Sequence, residues 1–423
     1  MKIKTKHRTY EEVMAMRRPA HKRPLTPSLM LGGLIRLISI PELWGTHFRF
    51  TTEDMEKAGD GPCLILMNHS SFIDLKIAYR ILFPRRFSIV STTDSFVGKA
   101  PLMRWLGCIP TKKFVSDPAL ISDMKFALHR RKVSVLMFPE AGYTFDGRAT
   151  ALPRRFGLLL KHLKVPVVTI ITDGAFTYDP LYNALQKRKV EVSAHVKCIL
   201  TPDEIAQKSC RELDEILAEA FSFDGFASQR EQNVRITEPF RADGLHRILY
   251  QCPVCRAEGQ TEGKGTVLTC HACGAAYELN EHGQLMPIGE TKPAFAHIPD
   301  WFNWQREQVR EEILSGRYCM DAEVEVGMMV DYRALYLIGR GRLIHTEDGF
   351  TLTDEAGKVL FHQSPLTAHT LNADFFWYEI GDTVCIGDND RLFYCFLPSS
   401  VPVAKARLAT EELYREKRRR KRE

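Results

Sequence analysis

Four short, uninterrupted apolar runs constrain the fold of this chain more than any other feature of its sequence. These runs lie at Cys63–Met67, Phe87–Val90, Val133–Phe138 and Val165–Ile171. Continuous apolar runs without polar alternation are typical of strands buried on both faces of a parallel sheet. Stretches with helical character separate them, at Ser71–Leu82, Ala119–His129 and Pro153–Leu163. We therefore predict an α/β domain over residues 46–223, closed by a strand at Val190–Leu200 and a helix at Pro202–Phe221.

The rest of the 423 residues divides into shorter segments by composition. We predict a linker at 224–249, a glycine-rich cysteine unit at 250–288, a connecting helix within 289–320 that begins at Pro299, and a β-rich domain at 321–423. In the last segment, six short β-type runs precede a helix from Ala404. This order resembles a pleckstrin-homology-like barrel followed by a helix. A packing or dimerisation module without a ligand is the alternative.

Residues 1–45 combine a basic arm with a short apolar helix. The apolar run Ser28–Ile40 has 13 residues, whereas a membrane-spanning helix needs about 20. Two interpretations of this helix stay open: it lies in the headgroup layer of a membrane, with Trp44 at its end, or it packs on the next domain. The charged first residues contain no apolar core, so we expect no secretory signal and a reducing, cytoplasmic compartment.

Positive charge is concentrated at the two ends of the chain. The net charge is +6, yet residues 1–24 alone carry eight basic and two acidic side chains, and residues 404–423 carry nine and four. The ends therefore hold +6 and +5, which leaves −5 for the body. This distribution favours an anionic membrane surface as a partner over nucleic acid, although the run Lys417–Arg422 can also be a solvated tail. Three aromatic residues in the connecting helix are either packed or form a membrane-interface belt: Trp301, Phe302 and Trp304.

Four of the eleven cysteines form two Cys-x-x-Cys pairs separated by fourteen residues. They are Cys252, Cys255, Cys270 and Cys273. In a reducing compartment such pairs indicate a tetrahedral Zn²⁺ site, and four thiolates leave no open position for catalysis. We predict a zinc ribbon with a structural Zn²⁺ ion, in which His271 is a spectator; two redox pairs are the alternative.

The segment Asn68–Asp74 follows the first apolar run and opens a helix. A strand-to-helix turn of this kind lies at the carboxyl edge of the sheet, where α/β proteins build their sites. Asp74, one turn into the helix, can reach back to His69, and an imidazole oriented by a carboxylate is a general base suited to activating a hydroxyl. The alternative is a capped helix start with a surface histidine.

Two further motifs lie near the same edge. Glu140 follows Phe138-Pro139 at the end of a buried strand, so its carboxyl can face the region of His69 or serve only a turn. Lys112 and Lys113 follow Gly107-Cys108-Ile109-Pro110-Thr111, where they can neutralise a phosphate or remain solvated.

These motifs, with the strand Val165-Pro166-Val167-Val168, resemble in sequence and order those of the glycerolipid acyltransferase family, over roughly residues 45–205. The resemblance implies that His69 and Asp74 are catalytic and that Lys112, Lys113 and Glu140 bind substrate. It also implies an acyl-coenzyme A or acyl carrier protein donor and a lysophospholipid acceptor, foremost 1-acylglycerol-3-phosphate. No catalytic cofactor is expected.

This chain departs from the family pattern at the acceptor motifs. The family's third motif reads F-P-E-G-T-R-S, whereas Ala141 replaces its glycine and Tyr143 its arginine here. A lysine replaces the arginine of the second motif, and lysine lacks bidentate geometry toward phosphate. Arg148, Arg154 and Arg155 could compensate, but no motif match assigns them that role.

The sequence therefore predicts a lipid acyltransferase on the inner face of the cell membrane, held there peripherally. The alternative function is a nucleic-acid- or protein-binding factor built around the zinc ribbon, with an inactive acyltransferase-like domain. The ribbon segment is not strongly basic, so a nucleic-acid partner is the weaker expectation.

Overall fold

A computed structural model describes residues 2–113, 117–153 and 155–421. Arg154 and Arg422, both named above, lie outside these ranges.

The strands, numbered in chain order, are β1 (Thr5–His7), β2 (Arg49–Glu53), β3 (Leu64–Met67), β4 (Phe87–Thr92), β5 (Ile109–Thr111), β6 (Ser134–Met137), β7 (Val167–Asp173), β8 (Ser193–Leu200), β9 (Thr261–Lys264), β10 (Val267–Cys270), β11 (Ala276–Leu279), β12 (Leu285–Pro287), β13 (Met320–Met328), β14 (Leu335–Thr346), β15 (Gly349–Asp354), β16 (Val359–Gln363), β17 (Asn372–Trp377), β18 (Gly381–Gly387) and β19 (Leu392–Phe396). The helices are α1 (Tyr10–Ala15), α2 (Leu29–Gly45), α3 (Asp74–Leu82), α4 (Ala100–Trp105), α5 (Pro118–Lys125), α6 (Phe156–Leu163), α7 (Ala175–Tyr178), α8 (Pro202–Gln207), α9 (Cys210–Ala220), α10 (Gly225–Glu231), α11 (Ile298–Leu314) and α12 (Val403–Arg420).

The first half of the chain forms a seven-stranded sheet in the order β2-β8-β7-β3-β6-β4-β5. The pairs β3–β6, β3–β7, β4–β6 and β4–β5 are parallel, and β7 pairs antiparallel with β8. All four residues of the central strand β3 are buried, as its continuous apolar sequence predicts. The predicted α/β architecture is confirmed, and the carboxyl ends of β3 and β6 lie side by side.

Two predicted helices have different limits in the structure. The predicted helix Pro202–Phe221 is wrong as one element, because Ser209 begins a second helix, α9, with a capping box to Glu212. The helix predicted at Ser71–Leu82 begins at Asp74 as α3. The apolar run that ends before Pro41 lies in α2, which continues through that proline to Gly45. A proline inside a helix removes one backbone donor, and α2 tolerates that loss.

The N-terminal arm crosses to the far end of the chain. Strand β1 pairs in parallel with β14, with Thr5 opposite Leu335. The following helix α1 buries Val13 completely, and the ring of Tyr10 stacks on Phe393 at 6.5 Å. The arm is therefore part of the C-terminal core.

Residues 224–249 are packed rather than extended. Helix α10 lies within them, and Leu245, Ile248 and Leu249 are fully buried. Strands β9 to β12 then form a four-stranded antiparallel sheet in the order β12-β11-β10-β9. Trp301 in α11 packs edge-on against Tyr277 of this sheet at 5.3 Å. The packing interpretation of the Trp301 region is confirmed, since Trp301 and Phe302 are buried.

The C-terminal sheet follows the antiparallel path β16-β15-β14-β13-β19-β18-β17, and β1 adds to β14. The six short β-type runs predicted for this region are confirmed within a few residues. Helix α12 lies against α11, β17 and β18, and its apolar side is buried at Val403, Leu408 and Leu413. The pleckstrin-homology-like barrel stays a prediction. None of the helices in the described ranges is long and apolar enough to cross a membrane.

Candidate active site

The loop after β3 is tied to the neighbouring strand β7 by Asn68. The Asn68 Oδ1 atom accepts hydrogen bonds from Thr172 N at 2.8 Å and Thr172 Oγ1 at 3.0 Å, and Asn68 Nδ2 donates to Thr172 O at 3.2 Å and Ser70 Oγ at 3.0 Å. Asn68 is fully buried, and its hydrogen bonds fix the position of the following residue, His69, at the end of β3. The sequence contains Asn68 in the first motif, but it gave no sign of the partner Thr172.

His69 and Asp74 are in contact. His69 Nδ1 lies 3.1 Å from Asp74 Oδ2, and the same oxygen accepts hydrogen bonds from Ser70 N at 2.9 Å and Ser71 N at 3.1 Å. Three nitrogens therefore converge on one carboxylate oxygen at the start of α3, where the helix dipole also favours negative charge. With its proton on Nδ1, the imidazole presents Nε2 as its basic nitrogen.

The imidazole of His69 lies between two aromatic rings. The ring centroids of Phe138 and Tyr143 are 4.1 and 3.9 Å from that of His69, and the His69 side chain is only 18% exposed. Burial, with a smaller contribution from the charge of Lys113, lowers the pKa of His69 well below its usual value. A histidine held neutral at physiological pH is ready to accept a proton.

Burial raises the pKa of Asp74 to about 8, although the N–H groups of Ser71 and Ser70 lower it. Asp74 Oδ1 has no hydrogen-bond partner within the described part of the chain. A buried carboxyl group with one unpartnered oxygen costs stability, which is common where function rather than folding selects the residue.

Glu140 lies at the predicted edge, but its carboxylate points into the protein. Glu140 Oε2 accepts from His69 N at 2.9 Å and Glu140 Oε1 accepts from Thr150 N at 2.7 Å. The residue is 1% exposed. Its expected role as a substrate-binding residue stays a prediction, while the geometry shows that it links His69 to the loop of residues 141–150.

The replacement of glycine by Ala141 has a visible cost in this loop. Ala141 has φ of +55°, in the left-handed region that favours glycine, where a residue with a Cβ is strained by about 1 kcal/mol. This chain therefore has an alanine at a position whose backbone conformation favours glycine.

The two motif lysines lie under the C-terminal domain. Lys112 Nζ donates to the carbonyl oxygen of Asn389, and burial lowers the pKa of Lys112. Lys113 lowers the pKa of both His69 and Asp374 by its charge. Lys113 is therefore a cation close to the imidazole, as a role in binding an anionic substrate requires.

The second motif is held in position by a close approach of the N-terminal arm. A Cβ atom on Gly107 would lie 2.4 Å from Pro27 Cγ, and Gly107 has φ of +75°. Ser28 N also donates to Trp105 O at 3.0 Å. Glycine is therefore required at position 107 on both counts.

Sequence reasoning missed three residues around the site. Arg407 on α12 donates to Tyr143 O and to Thr150 Oγ1, at 3.3 Å each. Tyr378 donates its hydroxyl to Asp94 Oδ2 at 3.0 Å. Asp179 is buried near Asp74, and burial raises its pKa to about 7. Arg407 and Tyr378 come from the C-terminal domain, and no local pattern could have assigned them to this site.

The four cysteines of the two Cys-x-x-Cys pairs form one cluster. Their Sγ atoms all lie within 4.8 Å of one another, and the pairs Cys252–Cys273 and Cys255–Cys270 are each 3.7 Å apart. Tetrahedral Zn²⁺ with Zn–S bonds of about 2.3 Å requires sulfurs about 3.8 Å apart. The donor set and spacing therefore fit such an ion. His271 points away to Glu262, at 2.9 Å.

Comparison with known proteins identifies the first domain. The family model described as Acyltransferase matches residues 47–173. A chloroplastic 1-acyl-sn-glycerol-3-phosphate acyltransferase of Brassica napus is 30% identical over 125 residues, which are 28% of this chain and 34% of that protein. The crystal structure of the 1-acyl-sn-glycerophosphate acyltransferase PlsC from Thermotoga maritima aligns with a TM-score of 0.37 and 16% identity, over 45% of this chain and 76% of that chain.

Residues 47–173 therefore form a domain of the acyltransferase family, and the resemblance to glycerolipid acyltransferases that the motifs predicted is confirmed for this region. The chain spans about a third of the length of the curated relative. The matched region contains His69, Asp74, Lys112, Lys113 and Glu140.

Proposed function

We propose that this chain transfers a fatty acyl group from a thioester donor to the hydroxyl of a lysophospholipid, with 1-acylglycerol-3-phosphate as the first acceptor to test. The observation that carries the proposal is the contact of 3.1 Å between His69 Nδ1 and Asp74 Oδ2, within a domain of the acyltransferase family. The named activity of the Brassica napus relative supports this choice of acceptor.

In the proposed reaction, His69 Nε2 takes the proton of the acceptor hydroxyl as its oxygen attacks the thioester carbonyl. Asp74, in its ionised form, keeps the Nδ1 proton in place and stabilises the imidazolium that forms. The tetrahedral intermediate collapses by breaking the C–S bond, and the imidazolium returns its proton to the leaving thiolate. The products are the diacyl lipid and a free thiol, and no covalent enzyme intermediate is needed.

The oxyanion of that intermediate needs a donor other than the two backbone amides that follow His69. Ser70 N and Ser71 N both donate to Asp74, so these two amides are already engaged. Lys113 is a cation whose charge acts on His69, which favours it for stabilising the developing negative charge or the acceptor phosphate.

We also propose that α2 docks on a membrane surface. Helix α2 packs on α3, with Gly32 against the ring of Tyr79, yet a row of its apolar side chains remains exposed: Met30 (80%), Leu34 (51%), Leu37 (64%), Ile38 (66%) and Trp44 (82%). An amphipathic helix of this kind is typical of proteins that lie on a bilayer, where an acceptor lipid is found.

The ribbon cysteines are proposed to hold a structural Zn²⁺ ion. Four thiolates would fill its coordination, so the ion would stabilise the fold of residues 250–288 and take no part in the acyl transfer.

The direct test of the acyltransferase proposal is product analysis by mass spectrometry, with a panel of lysolipids and with acyl-coenzyme A and acyl carrier protein as donors. The wild-type chain should form a diacyl product from at least one pair. His69→Ala should reduce the rate by at least about a hundredfold, because it removes the only base proposed. A variant within about threefold of wild type would refute the mechanism. His162→Ala, at an exposed position of α6, is the matched control.

A further inference from the structure

One side chain of the C-terminal domain contacts the acyltransferase site at three points. Arg407 lies on α12, 264 residues beyond Tyr143, and is 7% exposed. Its guanidinium donates to Tyr143 O and Thr150 Oγ1, at 3.3 Å each, and its Cζ atom lies 4.4 Å from the centroid of the Phe145 ring. Arg407 therefore contacts the loop 143–150 at both ends, through Tyr143 and Thr150, and within it, through Phe145.

This loop holds the backbone of His69 on both sides. Thr144 N donates to His69 O at 3.1 Å. On the other side, His69 N and Thr150 N donate to the two oxygens of Glu140, at 2.9 and 2.7 Å. A shift of the loop would therefore move the carbonyl and the amide of the residue that carries the imidazole. Displacements of about 1 Å can cost about a hundredfold in rate at such a position.

The charge of Arg407 also acts on Glu140, which links His69 to the loop. Burial raises the pKa of Glu140 to about 7, while the two N–H groups and the nearby charge of Arg407 lower it. Arg407 itself is fixed by Glu411, whose Oε1 accepts from Arg407 Nε at 3.4 Å and from Thr370 Oγ1 at 2.7 Å. The guanidinium is thus anchored in one domain and exerts its effect in the other.

We propose that Arg407 is a positioning residue for acyl transfer, which clamps the loop 143–150 and through Glu140 sets the position of His69. The third motif of this chain has Tyr143 where the family has an arginine, and the contacts show a cation reaching the same loop from α12 instead. The inference rests on the proposed function for its kinetic readout. It implies that the C-terminal domain is part of the catalytic unit.

The test compares two cations of α12 in the full-length chain. Arg407→Gln removes the clamp, and Arg407→Lys keeps the charge without the bidentate geometry. Lys405→Gln is the matched control, because Lys405 on the same helix is also largely buried but forms its ion pairs with Glu258 and Glu312, at 2.8 and 2.9 Å, outside the loop. It therefore measures the general loss of domain packing.

Arg407→Gln should lower kcat by about tenfold or more, with KM for the acceptor within about threefold of wild type, because a displaced base affects the transition state more than binding. The acidic limb of its profile of kcat against pH should move to higher pH, because loss of the nearby Arg407 charge raises the pKa of Glu140 further. Arg407→Lys should restore part of kcat, and Lys405→Gln should stay within about threefold. Equal losses for Arg407→Gln and Lys405→Gln, or an unchanged kcat and pH profile for Arg407→Gln, would overturn the proposal.

A second readout does not depend on turnover. In chains labelled with ¹³C at the histidine Cε1 atom, the His69 signal, assigned with His69→Ala, should shift in Arg407→Gln and remain in place in Lys405→Gln. A wild-type chain with no acyl transfer, but with this shift, would refute the proposed function and support the positioning role. An unmoved His69 signal in Arg407→Gln would refute the positioning role whatever the activity.

Discussion

Replacing Asp74 by Asn should abolish most of the activity and should make the stability of the fold less dependent on pH in the alkaline range. Asp74 is 1% exposed, and burial raises its pKa from 3.8 to about 8. Between these values the folded chain keeps a proton that the unfolded chain has released, so stability falls as pH rises through about 8. An asparagine does not titrate, and its stability should not show this fall.

The size of the effect follows from the same numbers. One pKa unit corresponds to about 1.4 kcal/mol. Between about pH 7 and pH 9 the wild-type chain should lose roughly 1 to 1.5 kcal/mol relative to Asp74→Asn, since the folded carboxyl releases its proton within that range. His69 contributes little there, because it is neutral when folded and largely neutral when unfolded, at a pKa of about 6.5. In Asp74→Asn the amide NH₂ occupies the position of the unpartnered Oδ1 atom. This buried donor without an acceptor should lower the free energy of unfolding by about 1–3 kcal/mol at every pH.

The assay is the melting temperature of both chains at a series of pH values. The difference between their melting temperatures should change in favour of Asp74→Asn by about 1–2 °C from pH 7 to pH 9, taking about 1 °C per kcal/mol for a chain of 423 residues. Asp321→Asn is the control, because Arg342 lowers the pKa of that exposed carboxyl, so its melting curve should run parallel to wild type over this range. Activity of Asp74→Asn should fall by at least about a hundredfold. Parallel curves for Asp74→Asn and wild type would refute the reasoning.

Three further outcomes are expected. Replacing Lys112 and Lys113 together by Ala should raise KM for a phosphate-bearing acceptor more than KM for the acyl donor; equal changes would exclude a headgroup role. Cys252→Ser should lower the zinc content from about one ion per chain and increase proteolysis around residues 250–288; zinc below about 0.2 per wild-type chain would contradict the site. Deleting residues 415–423 should weaken binding to anionic liposomes in a salt-dependent way, by up to roughly 1 kcal/mol per cation, without changing turnover on soluble short-chain substrates. Unchanged binding at low salt would rule out a membrane role for this tail.

The sequence predicts those parts of the site that depend on local order along the chain. The position of His69 after β3 and of Glu140 after β6 follows from two buried strands ending at one edge. The contact of His69 with Asp74 follows from their separation of five residues across the turn that opens α3. The orientation of Glu140 could not be predicted, because its partners His69 N and Thr150 N are backbone groups that carry no sequence signal.

The contacts between distant segments were beyond sequence reasoning for the same physical reason. The pairing of Thr5 with Leu335 and the contact of Arg407 with Thr150 depend on how separate cores dock. Docking is decided by the summed burial of many side chains, and no short pattern encodes it. A basic residue on a terminal helix is usually solvated, so Arg407 gave no reason to expect a buried contact.

The charges around the site show why that docking bears on function. Burial raises the pKa of four carboxyl groups to between about 7 and about 8: Asp74, Glu140, Asp179 and Asp374. A phosphate-bearing acceptor would add negative charge to this acidic edge, which is unfavourable unless cations offset it. Lys113 acts on His69 and Asp374, and Arg407 acts on Glu140 from the other domain. Because the acceptor motifs of this chain lack both family arginines, we expect acceptor binding to depend on cations whose surroundings the C-terminal domain sets. The docked C-terminal domain is therefore expected to determine which lysolipid headgroups the site accepts.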